Sequence, residues 1–403
     1  IVPSEGGTPQ LLANAIKATS PVWSPNGDMI AYIDEEKPRM SIVRIDQKGQ
    51  VVGNPVSIEG PEGTSFIKMI AGWTPDNKIG LLLVTEQESA IYTLPVGGGQ
   101  AAMIQRTPGA FISQPRWSPD GEQVFYSTPP DEVNLEGVPF TWRTLASVPA
   151  SGGNGKPVPT DLNDKNIRLF QFGGGHRVSP DGKTMVAGVW TPEDLNPEYY
   201  FPLSRIWKIA LDGTGSTQIT KTKGPFLDTD PCWSSDGKKI AFIRHRLNKG
   251  KTNPIPIADA DIYMVNSAGG EAELLDSVPG KSIQSLVWSA DGKMLACLVK
   301  QEESPINKYI FIINIKTREK SKFYKVEDDF GIIHTELAWS PDNKRIAFNF
   351  DDGANRRIKV MTLSDGSIEE VKTGLTDLDR ISHLDWSPDG KRFVFIGSKV
   401  GKR

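Results

Sequence analysis

The chain alternates short apolar runs with short polar turns, and the same alternation returns along its whole length. The clearest copy spans residues 384–396, where Trp386 leads into a Ser-Pro-Asp-Gly segment that is followed by the apolar run 393–396. Apolar, β-branched and aromatic runs bounded by Gly, Pro and Asp are typical of strands. Each copy therefore predicts two antiparallel strands joined by a tight turn.

Eight copies of this unit fill the sequence. A tryptophan precedes the turn in seven of them and a valine in the fourth: Trp23, Trp73, Trp117, Val178, Trp233, Trp288, Trp339 and Trp386. Consecutive copies are 44 to 61 residues apart, which is close to the period of about 40–50 residues that one four-stranded propeller blade occupies. The fixed place of the tryptophans in the first strand predicts that they pack between blades.

The turn itself has a mechanism. Proline pre-sets φ for the first central position, Asp hydrogen-bonds back to its own backbone, and Gly takes the left-handed conformation. Where the last position is not Gly it is Asn77 or Asn343, and Asn is the next residue type that tolerates this backbone.

A second pattern follows each copy, an apolar strand and then a Gly-rich turn, as in residues 91–99, 207–213 and 262–270. It supplies the third and fourth strands of each unit. The sequence therefore predicts an all-β fold, an eight-bladed β-propeller of four-stranded antiparallel blades, with residues 1–403 forming a single domain. Seven blades with one degenerate motif is the alternative.

The two ends of the chain complement one another. Residues 1–12 align with 264–275, the end of a third strand and a fourth strand, whereas the C-terminal copy stops after its second strand. We expect both termini to share one closing blade, because such closure leaves no free sheet edge.

The longest insertions connect the second and third strands of blades 3, 4 and 5, at residues 128–141, 191–204 and 247–260. Aromatic residues lie in or beside the insertions of blades 3 and 4. They either pack these loops against the rim of the propeller or form a binding patch, since aromatic side chains are common anchors of protein interfaces. They are Phe140, Trp142, Trp190, Tyr199, Tyr200 and Phe201.

Charge and hydropathy exclude other classes of partner. The net charge of −3 gives no global field that would favour nucleic acid. No apolar run approaches the roughly 20 residues that span a bilayer, so we expect no membrane span, and we expect a monomer.

Cys232 and Cys297 fall in predicted sheet interior, where small buried thiols are expected in preference to a disulfide.

The Trp-Ser-Pro-Asp-Gly-Lys repeat with its downstream Ile-Tyr strand and Gly-Gly turn resembles the TolB-type β-propeller repeat, a distant relative of the WD repeat. The resemblance covers essentially the whole chain, although there are eight repeats here and six in the TolB propeller. It implies a periplasmic or secreted protein that binds other proteins. Related propellers form the gating domain of prolyl oligopeptidase-like peptidases, and others form oligogalacturonate lyases.

Catalytic signatures are sparse. The Gly-x-Ser-x-Gly segment of a serine hydrolase does not occur in the sequence. A lyase would need metal ligands, and His334, His383 and Asp379 could together hold a divalent metal with open positions. Histidines at a channel mouth also hydrogen-bond to loops or water, so this metal site competes with a structural role.

The sequence thus favours a non-enzymatic extracytoplasmic binding scaffold without a cofactor. Its protein or peptide partner would dock on the loop rim of blades 3–5. A metal-dependent polysaccharide lyase-like enzyme and the gating propeller of a larger peptidase are the alternatives.

Overall fold

The structure is a computed structural model. It describes residues 1–12, 18–34, 39–59, 66–74, 76–85, 87–97, 100–108, 112–118, 120–128, 144–157, 168–169, 177–190, 198, 203–212, 214–247, 257–279, 281–301, 307–327, 337–351, 356–373 and 380–398. Across these residues the chain forms eight antiparallel sheets and no helix. The predicted eight-bladed β-propeller is confirmed, and the seven-bladed alternative is wrong.

The chain divides into two compact units, residues 1–111, 151–153 and 326–403, and residues 112–150 and 154–325. The first unit holds blades 1, 2, 7 and 8. Its strands are β1 (Val2–Pro3), which belongs to blade 8; β2 (Ala18–Trp23), β3 (Met29–Asp34), β4 (Arg39–Ile45) and β5 (Val51–Glu59) of blade 1; and β6 (Phe66–Trp73), β7 (Lys78–Val84), β8 (Glu88–Pro95) and β9 (Ala102–Pro108) of blade 2.

The second unit holds blades 3 to 6. Its strands are β10 (Ser113–Trp117), β11 (Gln123–Thr128), β12 (Thr144–Pro149) and β13 (Lys156–Pro157) of blade 3; β14 (Arg168–Leu169), β15 (Arg177–Val178), β16 (Thr184–Trp190), β17 (Arg205–Ala210) and β18 (Ser216–Gln218) of blade 4; β19 (Phe226–Trp233), β20 (Lys239–Leu247), β21 (Ile257–Asn266) and β22 (Glu273–Pro279) of blade 5; and β23 (Lys281–Trp288), β24 (Met294–Gln301), β25 (Asn307–Asn314) and β26 (Lys320–Glu327) of blade 6.

The remaining strands return to the first unit. They are β27 (Leu337–Trp339), β28 (Arg345–Asp351), β29 (Arg356–Thr362) and β30 (Ile368–Glu370) of blade 7, and β31 (Arg380–Trp386) and β32 (Arg392–Ser398) of blade 8. In blade 4 both β14 and β15 pair with β16, so its first strand consists of two segments.

The repeated turn forms the hydrogen bonds that its sequence predicts. In blade 5, the Ser234 hydroxyl donates to Asp236 at 2.7 Å and accepts the backbone N–H of Lys239 at 2.9 Å, while Asp236 accepts the N–H of Lys238 at 3.0 Å. Asn77 and Asn343 take φ of 61° and 58° at the position that Gly occupies in other copies. Local side-chain chemistry therefore specifies each turn without contacts from other blades.

The hydrophobic core lies between successive blades. Trp288 packs with Ala241 and Met264 of the preceding blade, and Trp386 packs with Ala347 and Val360 in the same way. The predicted role of the motif tryptophans is confirmed for these blades. Burying such side chains stabilises the fold by roughly 1.5–3 kcal/mol each.

Indole N–H groups also connect neighbouring blades. Trp233, Trp288 and Trp386 each donate to the backbone carbonyl of the residue before the motif position in the preceding blade, at 3.0, 3.2 and 3.0 Å. Val178 of blade 4 has no such donor. Neighbouring blades thus approach one another at their first strands, which are the innermost strands of the fold.

The closing blade is shared by the two termini, as predicted. Val2 pairs with Phe393, so β1 is the third strand beside β31 and β32. The predicted fourth strand is not assigned. Instead, Gln10 and Ile1 exchange two backbone hydrogen bonds of 2.8 and 2.9 Å, which pair the chain at this one point.

Candidate binding site on the first strands of blades 3 to 5

Most of the predicted aromatic patch lies outside the described residues: Phe140, Trp142, Tyr199, Tyr200 and Phe201. Trp190 is the last residue of β16, where it pairs with Arg168, and only its backbone is described. The aromatic rim therefore stays a prediction.

Two of the three predicted metal ligands, His334 and Asp379, also lie outside the described residues. The third, His383, is exposed in β31 and has φ of 54°. Among the residues whose placement is described, no group of three or more His, Cys, Asp or Glu could hold a metal ion. The metal site stays a prediction as well.

Both cysteines are free, and Cys297 is fully buried. Burial raises the pKa of each thiol to about 12. Since the thiolate is the reactive form, neither cysteine is suited to act as a nucleophile at neutral pH.

A strained position recurs three residues before the motif tryptophan. Ser20, Asp230 and His383 all have positive φ, of 52°, 51° and 54°, and each lies in a β-bulge of the first strand of its blade. A left-handed residue other than Gly costs roughly 1–2 kcal/mol, and such strain clusters at functional positions. The offset from the tryptophan does not by itself identify these positions, because Ile70 holds the same place in blade 2 without a positive φ.

Two arginines occupy the residue before the motif position in neighbouring blades. Arg116 lies in β10 of blade 3, half-buried, and Arg177 lies in β15 of blade 4, exposed. Burial lowers the pKa of Arg116, and the positive charge of Arg177 lowers it further. The two guanidinium groups are therefore close enough to repel one another.

Asp230 of blade 5 faces the same charge. Burial raises the pKa of its carboxyl group, while the Thr229 hydroxyl and the charge of Arg177 act in the opposite direction. Arg116, Arg177 and Asp230 thus bring two positive groups and one carboxyl group to the first strands of three successive blades. None of the three was among the binding or metal-site residues predicted from the sequence.

A buried polar network holds the strand that carries Asp230. The Arg244 guanidinium donates to both oxygens of Asp228, at 2.7 and 2.9 Å, with side-chain exposures of 5% and 0%. Thr220 donates to the same carboxylate at 2.7 Å, and Ser204 donates to the Asp228 carbonyl at 2.7 Å. The bidentate charge-assisted bonds are geometrically specific and hold β19 to β20 within blade 5. The bonds from Thr220 and Ser204 connect β19 to blade 4.

Arg205 adds a second connection between these two blades. Its buried guanidinium donates to the carbonyls of Ser204, Phe226 and Gly224, at 2.8, 2.6 and 3.1 Å. The bonds to Phe226 and Gly224 connect the start of β19 to blade 4 and supply hydrogen-bond donors to these two backbone carbonyls.

His245 lies on the opposite face of blade 5, in β20. Its Nε2 is 3.2 Å from the Thr229 hydroxyl, and its buried Nδ1 has no hydrogen-bond partner among the described residues. Burial lowers the pKa of His245 to about 4, although the charges of Asp228 and Asp261 act to raise it. The imidazole ring is therefore neutral at pH 7. His245 pairs with Leu227, one position along the strands from the pairing of Arg244 with Asp228.

Comparison with known proteins links the chain to peptidases over part of their length. No protein-family model matches it. It is 27% identical to the uncharacterized peptidase YuxL of Bacillus subtilis over 222 residues, and the aligned region covers 54% of this chain and 28% of that protein. It is 24% identical over 262 residues to dipeptidyl-peptidase 5 of Porphyromonas gingivalis, covering 64% and 33%. The chain thus spans about a third of the length of these two relatives.

A third relative is matched over most of its length. The chain is 25% identical over 287 residues to the uncharacterized protein Atu1656 of Agrobacterium fabrum, covering 69% of this chain and 83% of that protein.

Solved structures share the fold at low sequence identity. The C-terminal WD40 domain of Sif2 has a TM-score of 0.58 at 13% identity, covering 98% of this chain and 96% of that one. An oligogalacturonate lyase in complex with manganese has a TM-score of 0.56 at 16% identity, covering 86% and 89%. A prolyl endopeptidase has a TM-score of 0.57 at 14% identity, covering 88% and 49%. The predicted TolB-type or WD-like repeat propeller is therefore confirmed for the fold.

Proposed function

We propose that this chain is a non-enzymatic binding propeller that engages a protein or peptide partner on the side of blades 3–5. The observation that carries the proposal is the group of Arg116, Arg177 and Asp230 on three successive first strands. In the described part of the chain, none of the three forms an ion pair. Arg116 is partly buried and has no ion-pair partner among the described residues. A partly buried charge of this kind is costly to the fold, so a ligand that offsets it is the physical reason we infer for its placement.

The peptidase relatives support a peptide as the ligand. Their similarity to this chain is confined to about a third of their length, which leaves room in those proteins for a separate catalytic region. By this reasoning the chain binds peptides directly, or it is the substrate-gating propeller of a larger peptidase. In either case the propeller contacts the peptide and leaves bond cleavage to another domain.

The aromatic residues predicted for the rim of the same blades fit this function, because Trp and Tyr are preferred anchors of protein interfaces. No helix that could cross a membrane occurs in the described residues. We propose a periplasmic or secreted location from the resemblance to TolB-type propellers.

Peptide binding can be measured by fluorescence anisotropy with three fluorescein-labelled decapeptides of otherwise identical sequence. One is amidated and uncharged, one is amidated and carries a central Glu, and one has a free C-terminus. We expect at least one of them to bind with Kd below about 100 µM, an affinity of roughly −5.5 kcal/mol. Absence of binding by all three at millimolar protein would refute the proposed function.

The rim can be tested in the same assay. Tyr200→Ala and Trp142→Ala should weaken binding if these residues are anchors, by about tenfold or more. Leu274→Ala is a matched control, since Leu274 is an exposed apolar residue on the fourth strand of blade 5. Equal affinities in all three variants would place the peptide away from the rim.

A lyase-like enzyme is the second candidate. It is favoured by one observation, the exposed and strained His383 on a first strand. Together with His334 and Asp379 this histidine would hold a divalent metal that polarises the uronate substrate. Cleavage of oligogalacturonate can be followed by the ultraviolet absorbance of the unsaturated product. Manganese-dependent cleavage that is lost in His383→Ala would support this candidate over the binding propeller.

A further inference from the structure

The arginines of blades 3 and 4 share one place in the repeat. Arg116 pairs with Phe125 and Arg177 with Val186, each directly before the motif position of its first strand. The equivalent residues of blades 5 and 6 are Cys232 and Val287. Two like charges at equivalent positions of neighbouring blades are thus a feature of this pair of blades.

Among the described residues, the side chains of the pair use few of their hydrogen-bond donors. A guanidinium group has five N–H donors, and Arg116 uses Nη1 to donate to the Pro115 carbonyl at 3.0 Å. Neither arginine pairs with a carboxylate at ion-pair distance within the described ranges. Arg177 instead interacts at longer range with Asp230, which leaves the three groups with a net positive charge when that carboxyl group is ionised.

The seam between the two arginines differs from other seams in the same unit. Trp233 and Trp288 each donate an indole N–H across to the preceding blade. Blade 4 has Val178 at this position, so the bulky ring and its hydrogen bond are both missing beside Arg116. Arg116 and Arg177 therefore flank the one seam of this unit at which the repeat supplies an aliphatic side chain in place of an indole.

We propose that Arg116 and Arg177 together bind a carboxylate group of the peptide ligand, at the seam where Val178 stands in place of the motif tryptophan. This inference rests on the proposed function and assigns its ligand chemistry. Arginine forks match a carboxylate in geometry and form paired N–H to oxygen bonds with it. The incoming negative charge also offsets the repulsion between the two guanidinium groups.

The three decapeptides identify the source of the carboxylate. If the site takes a side chain, the Glu peptide binds at least about tenfold more tightly than the uncharged amidated peptide. If it takes a chain terminus, the peptide with the free C-terminus shows that advantage. Equal binding of all three peptides overturns the carboxylate site and leaves the proposed function standing, whereas no binding by any of them refutes both.

Two variants test the residues. Arg116→Gln and Arg177→Gln should each weaken the carboxylate-containing peptide about tenfold or more, because each removes charge-assisted bonds, and should leave the uncharged peptide unchanged. Arg177→Lys keeps the charge without the planar fork and should recover only part of the affinity. Arg318→Gln is the matched control, since Arg318 lies in the turn between the third and fourth strands of blade 6 and pairs with the exposed Glu273.

Folding is monitored separately by the thermal midpoint and the far-ultraviolet circular dichroism of each variant. Arg177 is exposed, so its variants should remain folded even if Arg116→Gln does not. A folded Arg177→Gln variant that binds the carboxylate-containing peptide as tightly as the unmodified protein would overturn the proposal.

Discussion

His245 should make the protein sensitive to mild acid. Its imidazole is buried in blade 5, and its folded pKa is about 4 against an ordinary value of 6.5. The folded pKa is therefore depressed. Above pH 6.5 both the folded and the unfolded state hold a neutral ring, so His245 causes no loss of stability there. As the pH falls from 6.5 to 4, the unfolded state takes up a proton that the folded state does not, and the free energy of unfolding decreases.

The size of this loss follows from the pKa difference. One pKa unit corresponds to about 1.4 kcal/mol, so the full shift is worth about 3 kcal/mol by pH 4. The carboxylates of the repeated turns act in a different window. Asp181 and Asp236 have pKa values held below their usual 3.8 by the motif serines, so their contribution is lost only in stronger acid.

The assay is urea unfolding followed by tryptophan fluorescence at several pH values between 7 and 4. His245→Gln should remove about 3 kcal/mol of the decrease in unfolding free energy that the unmodified protein shows over this range. His383→Gln removes an exposed histidine and should reproduce the profile of the unmodified protein. If His245→Gln shows the same pH-dependent decrease as the unmodified protein, burial of this ring does not cause the acid sensitivity.

Three further substitutions test the fold, each measured by urea unfolding at pH 7. Asp228→Asn should cost about 3–5 kcal/mol because it leaves a buried guanidinium without its counter-charge, whereas Glu273→Gln in an exposed pair should cost at most about 1 kcal/mol; similar costs would show that burial does not matter here. Trp386→Phe should lower the free energy of unfolding by about 1 kcal/mol more than Trp23→Phe does, because a net hydrogen bond is worth about that much and the indole N–H of Trp23 has no partner among the described residues. Equal losses would contradict a role for the inter-blade hydrogen bond of Trp386. Asn343→Ala should destabilise by about 1 kcal/mol and Asn343→Gly should not, because φ is 58° there and Gly alone adopts it without strain; a neutral Ala variant would contradict this.

The closing blade shows how far the repeat pattern extends. Alignment of residues 1–12 with an internal repeat predicted that the N-terminus would complete the C-terminal blade, and Val2 pairs with Phe393 as expected. The fourth strand was not fixed by that alignment. Its residues make one paired contact through Gln10 and Ile1, because an outermost strand depends on neighbours that a repeat does not specify.

The charged site could not be predicted in the same way. Arg116, Arg177 and Asp230 are 53 to 114 residues apart in sequence, and they meet because successive first strands lie side by side. Their offsets from the motif tryptophan were visible, but nothing in the residue types alone distinguishes a neighbouring pair of charges from solvated ones. The low pKa of His245 is a similar case, since it arises from burial of the ring in the folded protein.

The sequence by itself determined the number of repeats, the turn in each, the all-β class and the closure by both termini. These properties depend on local turn chemistry and on apolar periodicity, which act within about ten residues. Only the tertiary structure decided which indole groups bridge neighbouring blades, which ion pair is buried, and where two arginines repel one another. Those properties depend on distances between side chains of different repeats, and such distances exist only once the blades have packed.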